Sequence, residues 1–345
     1  SSFTPDANRG QDAVFGGCAP QTGFEELDAA DLVFQVGALN DSHVAAVKVR
    51  EAVSKGASLA VLGSGNSLTD DLALLNVEPE NSTSFLKQVL AAVIKMDLAS
   101  AGEKVDGFAE IKKALDSVTP SEDAKAAAEL YGKAKNAVII VDGYTVSPEA
   151  VTILADLALV TGKSERPRNG LIVVTPGGNL SGLRKVGITT ENSCILDQIN
   201  RGKIKGMFVF GEDPVGAGLL SPKDLNNLEL LVVVSPWMTE TARAAGVVLP
   251  GAAPLEICGT YISCDGKSRS FSSIQEPLTG FDNIQVISVL ADALGVNLCG
   301  DCQVETAPGK AQLILPEDTE LFKTAAVVDP ALRLFNEKLA QEGLK

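Results

Sequence analysis

The chain has 345 residues, 45% of them hydrophobic and 21% charged, with 32 glycines and 16 prolines. That apolar fraction excludes a chain disordered throughout, and glycines without a triplet period exclude a collagen-like rod. With 29 basic and 44 acidic residues the net charge is -15, so the surface repels phosphate backbones and no nucleic-acid partner is expected.

The first residues, 1–17, are polar and glycine-rich, with neither a charged n-region nor an apolar h-region, so no secretory signal is expected. No initiator Met opens the chain, which fits processing or a longer parent polypeptide. Short Val/Ile/Leu runs ending in Gly or Pro then recur, at residues 32–37 (LVFQVG), 59–63 (LAVLG), 137–143 (AVIIVDG), 171–176 (LIVVTP), 207–211 (MFVFG), 230–236 (LLVVVSP) and 247–250 (VVLP). Each reads as a strand buried on both faces. Helical spacing fills the gaps. In 41–55 Ala45, Val49, Ala52 and Val53 share a face before Gly56. Residues 81–132 read as helices, with Phe85, Val89, Val93 and Met96 in register and breaks at 98–107 and 118–123. In 147–162 Ser147 is the expected cap and Pro148 the first helical residue. Residues 282–295 repeat the design, with Val286, Ile287, Leu290 and Leu294 expected inward, and a last helix is expected over 330–341.

Strands alternating with helices predict an α/β fold with parallel sheets. Length alone suggests about two domains. The expected division is a partial lobe with a helical insert at 1–133, a second lobe at 134–298 and a C-terminal tail at 299–345. Two strands over 20–64 are thin for an independent lobe, so that lobe is expected to lean on a partner or on strands from elsewhere. No run reaches about 18 apolar residues, so no transmembrane helix is expected. Six cysteines in a chain of this size do not form a secreted framework, and a cytoplasmic location is the expectation.

The chemistry-bearing residues are few. The single histidine, His43, sits where a helix begins; capping or surface exposure explains it more simply than catalysis, and a multi-histidine zinc site is excluded. Gly63-Ser64-Gly65 follows a strand, but Leu68 stands where a dinucleotide fingerprint needs its third glycine, so it reads as a turn. Gly211, Glu212, Asp213 and Pro214 end a strand at the carboxyl edge, where open α/β sheets bind ligands. Glu212 and Asp213 either accept hydrogen bonds from a purine or form a polar turn. Ser235, Pro236, Thr239 and Glu240 follow the next strand and share that crevice. Cys258, Cys264, Cys299 and Cys302 are either two unrelated pairs or four thiolate ligands for zinc or an iron–sulfur cluster. The acid-rich stretches 25–31 and 301–305 read as solvated faces.

The blocks at 27–63, 134–162, 177–187 (GGNLSGLRKVG), 199–214 (INRGKIKGMFVFGEDP) and 228–271, with its MTET, VVLP, GTY and DGK runs in order, resemble the molybdopterin oxidoreductase superfamily. Formate dehydrogenase large subunits and the G-type subunit of NADH–quinone oxidoreductase are the nearest look. The resemblance implies two Rossmann-like lobes that hold a pterin guanine dinucleotide between them. It places Gly37 and Asn40 at one phosphate- or ribose-contacting turn, Gly211–Pro214 at the other half, and Thr239-Glu240 at the family's Thr-Glu.

Departures from the family pattern are specific. Neither a Cys-rich cluster-binding region nor the metal-ligating Cys or selenocysteine has a counterpart here, and the family's C-terminal β-barrel is also missing from these residues. Gly63-Ser64-Gly65 stands for the usual Asp-Pro-Arg, Ser235 for a guanine-reading Asp, and Ala245-Gly246 for Ala-Asp. The expectation is therefore a scaffold subunit without cofactor or active site of its own. Its partners would be iron–sulfur and flavin subunits of an electron-transfer complex of NADH or formate dehydrogenase type, in the cytoplasm or on the cytoplasmic face of a membrane-bound complex. The alternatives are a working fragment that binds molybdopterin guanine dinucleotide and is completed by other chains, an electron carrier with an iron–sulfur cluster on the four cysteines, and a nucleotide-binding module without redox work.

Overall fold

Parallel strands need apolar cover on both faces, and the first half of the chain supplies helices for each. A computed structural model describes residues 7–16, 22–164, 167–175, 177–186, 195–296 and 311–316. Its elements begin with α1 (Asn8–Phe15), β1 (Leu32–Val36), α2 (His43–Ser54), β2 (Ser58–Leu62), β3 (Leu75–Val77), α3 (Ser82–Lys95), α4 (Phe108–Ala114), α5 (Glu122–Lys133), β4 (Ala137–Asp142), α6 (Pro148–Val160) and β5 (Gly170–Val174). The strands form one parallel sheet in the order β3-β2-β1-β4-β5. The order reverses between β1 and β4, which makes their carboxyl ends the switch point where such sheets bind ligands.

Side chains alternate across this sheet as the period of two demands. Leu32, Phe34, Ile139, Val141 and Val173 turn toward α1, α3, α5 and α6. Val33, Leu59, Val61, Val138 and Ile140 turn toward α2, which buries Ala45, Val49 and Ala52. Each fully buried Val, Leu or Ile contributes about 1.5–3 kcal/mol, so both layers are needed. Helix α6 is capped by Ser147 and opened by Pro148, as the sequence predicts. It is buried nearly all round. Helix α1 crosses it so closely that a Cβ on Gly10 would lie 1.8 Å from the Pro148 carbonyl oxygen.

The expected boundary between residues 133 and 134 is corrected by this sheet. It falls between β1 and β4, which pair from Leu32 opposite Ala137 to Val36 opposite Val141. The strands that the thin first lobe lacks are β4 and β5 of the same chain. Part of the expected C-terminal tail also belongs here: the Gln312 N–H donates to the Val14 carbonyl at 2.8 Å, and Leu313 is buried.

The second half continues with α7 (Leu180–Lys185), α8 (Ile195–Asn200), β6 (Gly206–Phe210), α9 (Pro222–Leu225), β7 (Leu230–Ser235), α10 (Glu240–Ala244), β8 (Val247–Pro250), β9 (Gly259–Ile262), β10 (Ser268–Phe271) and α11 (Asn283–Ala293). Strands β6, β7 and β8 form a smaller parallel sheet. Helices α8, α9 and α10 cover one face of it, around Ile199, Leu225, Val233 and Ala242. The antiparallel hairpin β9–β10 reaches back to the first sheet. The Ile262 N–H donates to Asn179 Oδ1 at 2.8 Å, and Lys267 pairs with Glu25 at 2.8 Å.

All seven strand runs become strands. Helix α11 is the exception among the expected helices, because only Ala291 of it is buried and Leu294 stays 65% exposed. Of its expected inward face, Val286 and Leu290 are half-buried while Ile287 and Leu294 stay exposed. Among those residues no helix is long and apolar enough to cross a membrane. The helix expected at 330–341 lies outside them.

Candidate functional site at the carboxyl edges of the sheets

At the switch point β1 ends in Gly37, whose φ is +88° and whose added Cβ would lie 2.6 Å from the Asp142 Cβ. Only glycine fits that approach without strain. Asp142, at the end of β4, is buried and accepts from the Tyr144 N–H at 3.1 Å and the Thr145 hydroxyl at 2.7 Å. Burial pushes its carboxyl up, opposed by those two bonds and aided by the neighbouring charge of Asp41. Asn40 spans the next loop: its Nδ2 donates to the Asn66 carbonyl at 2.8 Å, and its Oδ1 accepts from the Leu68 N–H at 3.3 Å. Gln35, a polar residue inside an apolar strand, is fully buried. Its Nε2 donates to the Gly37 carbonyl at 2.9 Å and to Ser67 Oγ at 3.1 Å, while its Oε1 accepts from Thr69 Oγ1 at 2.8 Å.

The glycine-rich turn after β2 presents the kind of N–H groups that hold phosphate in other parallel sheets. Here the chain's own carboxylates take them. Glu78 Oε1 accepts from the Ser64 N–H and the Gly65 N–H, each at 2.9 Å, and lies 2.9 Å from Ser64 Oγ. Asp70 Oδ2 accepts from the Ser67 N–H at 2.7 Å and lies 3.1 Å from the same hydroxyl. With Asp41 and Asp142 close by, this edge is anionic.

At the second edge Gly211 turns at φ +67° and its N–H donates to the Val234 carbonyl at 2.8 Å. Asp213 is a clasp rather than a free acceptor. Its Oδ1 accepts from the Thr241 hydroxyl at 2.6 Å, the Thr241 N–H at 2.9 Å and the Gly216 N–H at 3.1 Å; its Oδ2 accepts from the Glu240 N–H at 3.3 Å. Partial burial raises its carboxyl, but the Thr241 hydroxyl and the three backbone donors together hold it below the usual range. Thr239 caps α10 by accepting from the Ala242 N–H at 3.1 Å, and Ser235 Oγ accepts from the Trp237 N–H at 3.2 Å. Pro214 offers its carbonyl to the N–H groups of Leu219 and Leu220. Glu240 lies 4.0 Å from Arg243 at the surface. Glu212 takes none of these donors. It lines a cavity of about 460 Å³ with Phe208, Phe210, Met207 and Leu219.

The remaining candidates separate. Cys258 is exposed and Cys264 is half-buried; burial, then the charge of Asp265, pushes the Cys264 thiol up. That is the opposite of a poised thiolate ligand. Cys299 and Cys302 lie outside the described residues. Among the described residues no group of three or more His, Cys, Asp or Glu is placed to hold a metal ion. His43 is exposed as the first residue of α2. The acidic stretch 25–31 is not merely solvated: Asp28 pairs with Lys55 at 2.7 Å, and Asp31 accepts from the Asn136 N–H at 2.9 Å. The stretch 301–305 lies outside the described residues.

Residues 6–287 match the sequence profile of the family described as molybdopterin oxidoreductase. The chain belongs to the molybdopterin oxidoreductase family. It is 26% identical over 338 residues to formate dehydrogenase H of Escherichia coli, an alignment that covers 81% of this chain and 47% of that protein. The chain thus spans about half the length of the relatives it matches. Its fold superposes on acetylene hydratase from Pelobacter acetylenicus with a TM-score of 0.68 at 16% identity, over 84% of this chain and 50% of that one. It also superposes on a chain of the formyltransferase/hydrolase complex from Methylorubrum extorquens with a TM-score of 0.57 at 16% identity, over 85% of this chain and 82% of that one.

Sequence reasoning missed the groups that close these edges. Glu78, Asp70 and Thr241 carry no motif, because each acts across a loop whose path the sequence does not specify. Gln35 did leave a signal: an amide inside a strand buried on both faces requires partners.

Proposed function

We propose that this chain is a molybdopterin-oxidoreductase-type subunit whose cofactor-binding edges are closed by its own side chains. It serves as a packing subunit in a redox complex of formate or NADH dehydrogenase type, beside iron–sulfur and flavin subunits. The observation that carries this reading is the pair Glu78 and Asp70 on the Ser64–Ser67 N–H groups. A carboxylate there imitates a phosphate. Hydrogen bonds to a charged acceptor contribute about 1.5–3 kcal/mol each, so an incoming pyrophosphate must replace bonds already made while entering an anionic edge.

The residues present leave few free partners for a pterin guanine dinucleotide. On the guanine half both Asp213 oxygens are engaged and Ser235 Oγ accepts from Trp237, which leaves Glu212 as the acceptor there that takes none of these donors. Beside the Gly37–Asn40 turn, the Ser64, Gly65 and Ser67 N–H groups of the turn after β2 are engaged by Glu78 and Asp70. Relatives named as formate dehydrogenases, and a fold match spanning most of one chain of a multisubunit complex, support a role within an assembly.

Isothermal titration of the full chain with GDP tests the closed edges, since GDP carries both guanine and a pyrophosphate. The expected result is no heat of binding at millimolar ligand. Micromolar binding that is weakened by Ser235→Ala overturns the reading.

A further inference from the structure

Helix α11 (NIQVISVLADA) carries a polar stripe of Gln285, Ser288 and Asp292 and a broad apolar face over most of the rest, yet only Ala291 is buried. A broad apolar helix face of this kind ordinarily packs against other apolar surface. Ile284 is 69% exposed, Val289 56% and Leu294 65%. The helix is nevertheless preorganised. Asp282 and Gln285 form a reciprocal capping box, and Asn283 Oδ1 accepts from the Ala252 N–H at 2.9 Å, which ties the helix to the end of β8.

More exposed apolar side chains lie in the segment that leads into the helix. The Leu255 carbonyl accepts from the Ile274 N–H at 2.8 Å and the Gln275 N–H at 3.3 Å. Buried Glu256 takes the Ala253 N–H at 2.8 Å, Gln275 Nε2 at 3.2 Å and the Leu278 N–H at 3.4 Å. Leu255, Ile274, Leu278 and Phe281 are exposed on this tied segment, which runs into α11. A fixed apolar patch of this kind marks an interface.

Charge selects the occupant. From residue 270 to 296 the chain carries Glu276, Asp282 and Asp292 and no Lys, Arg or His. A second copy packed α11 against α11 would bring these carboxylates together, and like charges facing across an interface disfavour pairing. We infer that α11, with Leu255, Ile274 and Leu278, is the docking surface for a different chain, one that presents an amphipathic helix with an apolar face rimmed by Lys and Arg. This deepens, and rests on, the reading of the chain as one subunit of an assembly.

The test uses the full chain and two synthetic amphipathic helical peptides of identical leucine face, one flanked by lysines and one by glutamates. Fluorescence anisotropy is expected to show micromolar binding of the lysine-flanked peptide that weakens with salt, and at least about tenfold weaker binding of the glutamate-flanked one. Ile284→Ser and Leu278→Ser change exposed side chains, so they leave the fold intact and are each expected to weaken the lysine-flanked peptide about tenfold. No binding, equal binding of both peptides, or insensitivity to both substitutions overturns the inference. So does a dimer of the full chain in sedimentation that Ile284→Ser dissociates. GDP binding would refute the closed edges while leaving this result unaffected, so the two failures are distinguishable.

Discussion

Replacing Asp213 separates its role as a clasp from a role as a base reader. In Asp213→Ala, the β6 turn and the start of α10 lose an acceptor shared by the Thr241 hydroxyl and the N–H groups of Gly216, Thr241 and Glu240. Bonds to a charged acceptor contribute about 1.5–3 kcal/mol each when buried. Asp213 is only half-buried, so water recovers part of that, and about 2–3 kcal/mol of destabilisation is expected in total. Asp213→Asn keeps one acceptor but turns an amide N–H toward the Glu240 donor, so roughly half to all of that loss is expected. Urea unfolding followed by circular dichroism measures it, with Trp237, the chain's single tryptophan, as a second probe beside α10. Glu212→Ala, one residue away and outside the clasp, is the control and stays within about 0.5 kcal/mol. If Asp213→Ala also stays within about 0.5 kcal/mol of the parent, the clasp is refuted.

Gly37→Ala forces a Cβ to 2.6 Å from the Asp142 Cβ at a φ of +88° and is expected to destabilise by more than about 2 kcal/mol, read as a lower melting temperature. Asp156 is fully buried in α6, accepts only from the Ile314 N–H at 3.2 Å, and is raised well above the usual range by burial. The folded state then holds this proton at pH values where the unfolded chain has released it, so its contribution to stability falls as pH rises above the ordinary carboxylate range. Asp156→Asn removes that fall: the stability of the variant relative to the parent is expected to increase from pH 4 to 7 in urea titrations, and no change across that range would contradict the reading. Burial lowers Lys163 to about 8, so across the interval from there to its ordinary value of 10.5 stability rises with pH. Lys163→Met is expected to flatten that rise.

All seven apolar runs became strands, but burial on both faces holds for those in the first sheet and for β7 only: β6 and β8 leave Phe208, Phe210, Val247 and Val248 exposed. Helix α6 was legible from Ser147 and Pro148 alone. The domain boundary was not, because the pairing of β1 with β4 spans about a hundred residues and no local signal encodes it. β3 is only three residues long, and β9 (GTYI) and β10 (SRSF) lack the continuous Val/Ile/Leu run that marked the equally short β8. The candidate site was half legible. Gly37, Asn40, Gly211–Pro214, Ser235 and Thr239 do sit at the carboxyl edges, as the resemblance implied. The state of their polar atoms was hidden, since Glu78, Asp70 and Thr241 reach them through loops. The inward face expected for α11 held only in part, with Val286 and Leu290 half-buried among the described residues: periodicity reports which side wants burial, not what covers it.

The most direct test of the closed edges is the cofactor content of the intact assembly. The complex containing this chain is purified without oxygen, its molybdenum and tungsten are measured by mass spectrometry, and its pterin is measured by fluorescence after acid release, each counted per copy of this chain after subtraction of any other molybdopterin subunit. Background levels of metal and pterin are the predicted result. One metal and one pterin dinucleotide per copy would contradict it.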